Sequence, residues 1–400
     1  MEAEKIGWHP PNKLGGATQR QGLRTQLRER SSYVPTIAWI VHNSASNMAR
    51  LLIEGMRDLG RTDIEHVASR EDNLYLRDPV LPPLDDPATN LDVIGEFPDA
   101  DRFVPALASP DFWERLPKAD FIVFTSNPGA MHNAARAVRI IRRRDLFHKL
   151  VYLDEDETGR LHPEFRDMFL KARLAFVWRP GLYKRFAVHP HVVNFGFNGV
   201  ENRYVRYIPR SIDEKRTDVF YRGRAGKRMP HREPFIAALK AKGYGNSAIM
   251  PELAPNTDPD DFRLQHVTGN RHNASYYRVL RDSKIAVYLN GFNPVGYQFW
   301  ENAALMCAQV IQTPHPCKWY HGGSYPTDLT DYEEYDPPFQ RGLHFLTFES
   351  PEEMIERVDY LLAHEEERKK MALACHQLAM EHYTSKARAA KFLEYLSREP

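Results

Sequence analysis

A strand–helix–strand pattern that begins near residue 33 constrains this chain more than any other feature. The apolar run VPTIAWIV ends in small polar residues, and apolar positions at helical spacing follow it up to Gly60. Residues 64–69 form a second predicted strand. A strand, a helix and another strand in this order imply a crossover between parallel strands, with the helix on one face of the sheet. The sequence therefore predicts an α/β fold.

The same pattern recurs further along the chain. The segment FIVFTS, the turn NPG and the helix-like MHNAARAVRIIRRR lead into the strand LVYLDEDE. A second series starts near Thr217 with the strand DVFYRGR and the helix EPFIAALKAKGYG, and it continues with the strand IAVYLNGF, a helix around QFWENAALMCAQ and the strand VIQT. Because single hydrophobic cores stop growing near ~250–300 residues, we expect the 400 residues to form two domains.

The predicted organisation has four parts. A basic N-terminal arm covers residues 1–32, a Rossmann-like domain 33–208, a second Rossmann-like domain 209–380, and a final helix 381–400 that returns toward the first domain. Ligands of open α/β sheets bind beyond the carboxyl ends of the strands. The cleft between the two domains is therefore the expected site.

Charge and cysteine content exclude several classes of protein. The chain has 54 Lys and Arg against 53 Asp and Glu, so no overall field draws it to DNA or to an anionic membrane. The cysteines lack the spacing of a zinc site or disulfide framework; they are Cys307, Cys317 and Cys375. No apolar run approaches the ~18 residues of a membrane span, and the N-terminus has no signal-peptide core. We expect a cytoplasmic protein with reduced thiols.

The basic turn YRGRAGKR, residues 221–228, follows a predicted strand directly. Glycine allows a ligand to approach the backbone, arginine binds phosphate bidentately and lysine acts as a point charge. Arg224, Lys227 and Arg228 therefore suit a diphosphate, although a solvated turn before the next helix explains them equally well. The P-loop pattern and GxGxxG are both absent.

A second candidate lies where a loop becomes a helix at Gly296. The backbone amides of Tyr297, Gln298 and Phe299 would be free to face an anion. We place Glu301 in the first turn of this helix, where its carboxylate would accept hydrogen bonds from a sugar hydroxyl or simply complement the helix dipole.

These segments stand in an order that resembles a known family. The order is strand-GR-x-x-K, then SYYRVLRDSKIAVYLN, then G-x-x-x-x-E-N-A-A and VIQT, with a helical tail ending HYTSKARAAKFLEYL. It looks like the C-terminal half of GT-B glycosyltransferases of group 1, especially the CgeB-like (spore-maturation) branch. The similarity covers residues 215–397, and the N-terminal half matches in architecture only.

The resemblance implies a GT-B fold and a metal-independent sugar transfer, with no tightly bound cofactor and with a UDP- or GDP-sugar as co-substrate. Arg224, with Lys227 or Arg228, would bind the donor diphosphate, and Glu301 would bind the ribose. Seven residues before Glu301, where the family has another glutamate, this chain has Pro294. Retention of the anomeric configuration is the expected outcome, and Pro294 leaves inversion open.

The first domain is expected to hold the acceptor, which is a saccharide, a protein or a small molecule. Asp154 follows the strand LVYL, and the resemblance makes it the first choice of catalytic base. His42 is a second catalytic candidate beside Arg224, and the acceptor-side residues are Asn43, Ser44 and Asn127. A charged turn at 154–157 and a helix cap at Ser126 or Asn127 are the structural alternatives.

Two other functions remain open from the sequence. The first is transfer to a hydroxymethylated base in DNA, with phosphate contacts from the arginines of one predicted helix; they are Arg136, Arg139, Arg142, Arg143 and Arg144. Against it, the acidic tyrosine-rich loop 319–341 would repel a nucleic-acid backbone and suits a carbohydrate. The second is a GT-B scaffold without turnover in surface-layer or coat assembly, which Pro294 motivates.

Overall fold

The structure is a computed structural model that describes most of the chain. The described residues are 35–41, 47–61, 65–68, 111–126, 132–154, 165–177, 186, 188–196, 198–223, 230–250, 277–290, 296–313 and 335–398. The predicted basic arm, residues 1–32, lies outside them.

The first sheet has six parallel strands in the order β2-β1-β3-β4-β5-β6. They are β1 (Ile37–Val41), β2 (Glu65–Ala68), β3 (Phe121–Ser126), β4 (Leu150–Asp154), β5 (Leu174–Val177) and β6 (Val192–Asn194). Strands β3 and β4 are buried along their whole length, as expected of continuous apolar runs in a parallel sheet. The predicted strand–helix–strand pattern is confirmed here.

Helices cover both faces of this sheet. They are α1 (Asn47–Asp58), α2 (Phe112–Arg115), α3 (His132–Arg143), α4 (Arg166–Lys171) and α5 (Asn202–Val205). Successive strand residues point to opposite faces, so Trp39 packs in the same core as α1, whereas Ile40 packs in the core that contains α3 and α4.

The second sheet has five parallel strands in the order β11-β10-β9-β7-β8. They are β7 (Thr217–Arg222), β8 (Ser247–Met250), β9 (Ser283–Tyr288), β10 (Ala308–Gln312) and β11 (Phe345–Phe348). Strands β6, of three residues, and β8, of four, were not expected from the sequence.

The helices of the second half are α6 (Glu233–Lys242), α7 (Tyr297–Ala304), α8 (Pro351–Ala363), α9 (Glu365–His382) and α10 (Ser385–Ser397). The segment EPFIAALKAKGYG forms α6, which ends at Lys242; of the two glycines that could end it, Gly243 and Gly245, the first follows directly with a φ of 63°. The helix expected around residues 298–309 is wrong in its length. Helix α7 ends at Ala304, the chain turns through Met306 at a φ of 56°, and β10 already begins at Ala308.

The last helix packs against the first one, which confirms the predicted return of the C-terminus. A Cβ atom placed on Gly55 of α1 would lie 1.9 Å from the carbonyl oxygen of Ser385 in α10. Phe392 of α10 packs on Trp39 and Phe176 with ring centroids 5.8 and 5.1 Å apart. The C-terminal helix is therefore part of the core under the first sheet. The predicted boundaries at residues 33, 209 and 381 stay predictions.

None of the helices that the structure describes is long and apolar enough to cross a membrane.

Candidate functional site

The carboxyl edge of the second sheet gathers polar groups from several elements. Strands β7, β9 and β10 lie side by side and end at Arg222, Tyr288 and Gln312. The residues that follow β9 and β10 are Leu289, Asn290 and Thr313. Parallel α/β sheets bind ligands at their carboxyl edge. Polar groups at this edge that already form hydrogen bonds within the protein are therefore distinguished from those that are left to contact a ligand.

A short 3-10 turn, Pro230–Arg232, is fastened to the end of β9. Arg232 donates from Nε to the Asn290 carbonyl oxygen and from Nη2 to the Leu289 carbonyl oxygen, both at 2.8 Å. His231 Nε2 lies 3.0 Å from the same Asn290 oxygen. The remaining guanidinium nitrogen of Arg232 lies 3.2 Å from the position that a Cβ atom would take on Gly223. The turn therefore lies against the ends of both β7 and β9.

Asn290 ties the end of β9 to the end of β10. Its backbone amide donates to the side-chain oxygen of Gln312, and its Nδ2 donates to the Thr313 carbonyl oxygen, each at 3.1 Å. Among the buried polar atoms near this edge that have no hydrogen-bond partner within the described part of the chain are Asn290 Oδ1, His231 Nδ1 and Gln298 Nε2. His231 and Asn290 are not among the residues predicted from the sequence, although a polar residue directly after a buried strand is an available signal for Asn290.

The start of α7 lies where the sequence placed it. Gly296 precedes the first helical residue, Tyr297, and a Cβ atom on Gly296 would lie 2.6 Å from the hydroxyl of Tyr288. The amide of Phe299 donates to the Gly296 carbonyl oxygen at 3.3 Å. The Phe299 amide therefore already has an acceptor within the turn, and the anion-facing role of the amides of Tyr297 and Gln298 stays a prediction.

Glu301 does not lie in the first turn of α7, so that placement is wrong. The helix starts at Tyr297, and with 3.6 residues per turn its fifth residue belongs to the second turn. The side chain is 8% exposed and accepts a hydrogen bond from the Tyr277 hydroxyl at 3.1 Å. The Tyr277 ring packs on Tyr204 and Tyr207. An ordinary helix-dipole charge is therefore a poor explanation of this glutamate.

Asp154 ends β4 beside Ser126, the last residue of β3. The two are register partners, and the Ser126 hydroxyl lies 3.5 Å from Asp154 Oδ1. Asp154 has no exposed surface, whereas a catalytic base must reach its substrate. Its assignment as the base stays a prediction.

The other predicted site residues lie outside the described residues. They are His42, Asn43, Ser44, Asn127, Arg224, Lys227 and Arg228, together with Pro294 and the acidic residues 155–157. The diphosphate and acceptor roles that the sequence gives them stay predictions.

Arg142 and Arg143, at the C-terminal end of α3, do not line the carboxyl edge of the first sheet. The helix begins at His132, after β3, and runs toward the opposite edge, so Arg142 to Arg144 lie roughly 15 Å from its start. Arg142 makes a bidentate pair with Asp167 at 2.6 and 2.7 Å, and this pairing lowers the pKa of the aspartate. Arg136 lies over the Trp113 ring. These positions give no support to a DNA acceptor carried by Arg142–Arg144.

One tyrosine of the acidic tyrosine-rich loop, Tyr335, lies in the core, whereas the neighbouring Asp336 is exposed. Tyr335 stacks on Trp300 with ring centroids 5.6 Å apart, and it also packs on Tyr383. Asp336 pairs with Lys391 at 3.0 Å. A carbohydrate-stacking role for Tyr335 is therefore excluded by its burial in this structure.

No group of three or more metal-ligating side chains occurs within the described ranges. Cys307 and Cys375 are buried and free; Cys317 lies outside these ranges. Burial raises the pKa of both described thiols, which makes them poor nucleophiles.

Comparisons with known proteins point to one fold. A family model described as glycosyl transferase-like matches residues 231–394. No curated protein matches the chain. Among solved structures, Anabaena HepE (Alr3699) in complex with UDP has 12% identity and a TM-score of 0.54, covering 90% of this chain and 99% of that one. The same protein with UDP-glucose has 12% identity and a TM-score of 0.52, with coverages of 91% and 100%. A glycosyltransferase from Rickettsia africae has 12% identity and a TM-score of 0.53, with coverages of 90% and 97%.

At this level of identity the likeness concerns the fold. Two parallel sheets flanked by helices, a C-terminal helix packed on the first half and these structural neighbours agree on the GT-B fold. The fold class predicted from the sequence is confirmed.

Proposed function

We propose that this chain is a glycosyltransferase that moves a sugar from a nucleoside-diphosphate sugar to an acceptor hydroxyl. One observation carries the proposal. The glycosyl transferase-like match starts at His231 and includes Asn290, Gly296 and Glu301, so it covers the same edge of the second sheet at which unpartnered polar atoms gather. Structures of the same fold contain UDP and UDP-glucose, which supports a uridine nucleotide as the first donor to test.

In the proposed donor site, positively charged side chains face the diphosphate, on which negative charge develops as it leaves. Arg224, with Lys227 or Arg228, would stabilise the leaving diphosphate, assisted by the amides of Tyr297 and Gln298. Electrostatic stabilisation of a developing charge is usually the largest catalytic contribution. Glu301 would bind the ribose, with the Tyr277 hydroxyl fixing the orientation of its carboxylate.

The finer features of the reaction belong to the same proposal. We propose a CgeB-like, metal-independent and retaining enzyme in which Asp154 or His42 acts on the acceptor and Asn43, Ser44 and Asn127 hold it. The acceptor is a saccharide, a protein or a small molecule. Closure of the two halves would exclude water and so limit hydrolysis of the donor.

Calorimetric titration with UDP, UDP-glucose, GDP and GDP-mannose tests the proposal. We expect the wild type to bind one nucleotide series, and the double variant Arg224→Ala with Lys227→Ala to bind at least ~100-fold more weakly, because charge-assisted hydrogen bonds are about twice as strong as neutral ones. Arg139→Ala, an exposed arginine of α3, is the matched control and should bind like the wild type. Absence of binding to all four ligands would contradict the proposal, and binding without any sugar transfer or hydrolysis would favour the scaffold alternative.

A further inference from the structure

Two of the unpartnered atoms at the carboxyl edge belong to His231 and Asn290, which are hydrogen-bonded to each other. His231 contacts the Asn290 carbonyl oxygen through Nε2 at 3.0 Å. A carbonyl oxygen only accepts hydrogen bonds, so Nε2 must carry the hydrogen. In the neutral imidazole the other nitrogen, Nδ1, is then an acceptor. This nitrogen is buried and has no partner among the residues that the structure describes.

A hydrogen bond also shows which end of the Asn290 side-chain amide is the nitrogen and which is the oxygen. Its nitrogen faces the Thr313 carbonyl oxygen at 3.1 Å, and only the nitrogen end of the amide is able to donate. The assignment of the two ends therefore follows from the contact. Asn290 Oδ1 is left as a second buried acceptor that is unpartnered within the described segments.

Two neighbouring acceptors select the chemistry of what binds them. A phosphate oxygen or a carboxylate has no proton to donate and would leave both buried atoms unsatisfied. A hydroxyl group donates and satisfies them. Gln298 Nε2, another of the unpartnered atoms, is a donor and suits a hydroxyl oxygen.

We propose that His231 Nδ1 and Asn290 Oδ1 bind hydroxyl groups of a sugar ring of the donor, and not its diphosphate. This inference rests on the proposed function, because it assigns a role within the same site. The sugar is either the transferred one or the ribose, and the two have the same recognition chemistry.

Two substitutions of His231 separate its proposed contact with the ligand, through Nδ1, from its hydrogen bond to the Asn290 carbonyl oxygen, through Nε2. In His231→Gln the side-chain nitrogen is three bonds from Cβ, as Nε2 is, so the bond to the Asn290 carbonyl is kept and the acceptor at the Nδ1 position is lost. In His231→Asn the side-chain oxygen is two bonds from Cβ, as Nδ1 is, so the acceptor is kept and the bond to Asn290 is lost. Affinities for UDP-glucose, UDP and 2′,3′-dideoxy-UDP are measured by calorimetry.

We expect His231→Gln to bind UDP-glucose ~5- to 30-fold more weakly at an unchanged melting temperature. His231→Asn is expected to keep the affinity within ~3-fold and to melt earlier. An unchanged affinity of His231→Gln for UDP assigns the contact to the transferred sugar. A loss for UDP that is absent for dideoxy-UDP assigns it to the ribose.

Two results would overturn the inference. One is wild-type affinity of His231→Gln for all three ligands, which would mean that only water occupies these acceptors. The other is an equal loss for dideoxy-UDP and UDP, which would indicate a phosphate contact. If the wild type binds no nucleotide of either series, the proposed function fails and this inference fails with it; if the wild type binds and His231→Gln is unaffected, only this inference fails.

Discussion

Glu54 of α1 accepts a hydrogen bond from the hydroxyl of Ser385, the first residue of α10. The same carboxylate oxygen accepts from the backbone amide of Asn202 at 3.1 Å. Glu54 thus joins three parts of the chain that are far apart in sequence: the first helix, the segment between the two sheets, and the last helix. Backbone hydrogen bonds of Val200 to Tyr383 and of Ser385 to Val200 run beside it, at 2.7 and 3.0 Å.

The first prediction concerns the pH dependence of stability at this junction. Burial, with the negative charge of Glu201 as the second cause, raises the pKa of Glu54 to about 7 from an ordinary value of 4.5. The folded state therefore holds a proton that the unfolded state has lost between these values. Stability falls as the pH rises through this window, by about 2–3 kcal/mol in total for a partly exposed side chain.

Glu54→Gln removes this titration and keeps an oxygen that accepts from Ser385 and Asn202. We expect the unfolding free energy of the wild type to decrease between about pH 5 and pH 8 and that of the variant to decrease less. Urea denaturation at several pH values measures the difference between the two curves, which cancels the contributions of other groups. Parallel curves would show that Glu54 does not titrate in this range.

The second prediction concerns the close approach of α1 and α10. A Cβ atom on Gly55 would lie 1.9 Å from the Ser385 carbonyl oxygen and 2.8 Å from the Ala389 Cβ. Backbone cannot yield as a flexible side chain does, so Gly55→Ala should destabilise the fold by about 1–3 kcal/mol or more. Gly245, whose Cβ position has open space around it, is the control, and Gly245→Ala should change the stability by less than about 0.5 kcal/mol. Equal melting temperatures for the two variants would contradict the packing described here.

Much of this architecture follows from the sequence, and the exceptions have physical causes. Long apolar runs such as FIVFTS and LVYL predict β3 and β4, because a strand that is buried on both faces has a continuous apolar sequence and not an alternation of apolar and polar residues. The strand SAIM and the early end of α7 were not predictable, since both depend on which neighbour the chain packs against. Met306, a non-glycine residue with positive φ, ends α7 without the glycine signal that marks α6.

The candidate site was predictable in part. Gly296, Tyr297 and Gln298 lie at the helix start that the sequence indicated. His231 and Asn290 were missed because their roles arise from hydrogen bonds across 59 positions of sequence, and no local pattern encodes such a contact. The second-turn position of Glu301 and its bond to Tyr277 likewise became visible only in three dimensions.

The third prediction concerns a buried lysine at the opposite edge of the second sheet. Lys215 Nζ donates to the carbonyl oxygens of Arg281, Ser283 and Leu305 at 2.7–2.8 Å. Burial lowers the pKa of this amine. Lys215→Met would leave the three carbonyls without this donor, and each unsatisfied buried acceptor costs about 1–3 kcal/mol. A loss of at least about 3 kcal/mol in the unfolding free energy is therefore expected by urea denaturation.

Lys284→Met is the control for that experiment. Lys284 pairs with Asp218 at 2.7 Å, and both side chains are partly exposed. A pair of this kind contributes at most about 1 kcal/mol. If the two lysine variants lose the same unfolding free energy, the three hydrogen bonds of Lys215 to carbonyl oxygens contribute no more to stability than the partly exposed pair of Lys284 with Asp218.

A crystal structure of the wild type with UDP at saturating concentration tests the proposed donor site. We expect the diphosphate to lie within hydrogen-bond distance of the amides of Tyr297 or Gln298, with the ribose on Glu301. UDP bound only against the first sheet, or an empty carboxyl edge of the second sheet under these conditions, would contradict it.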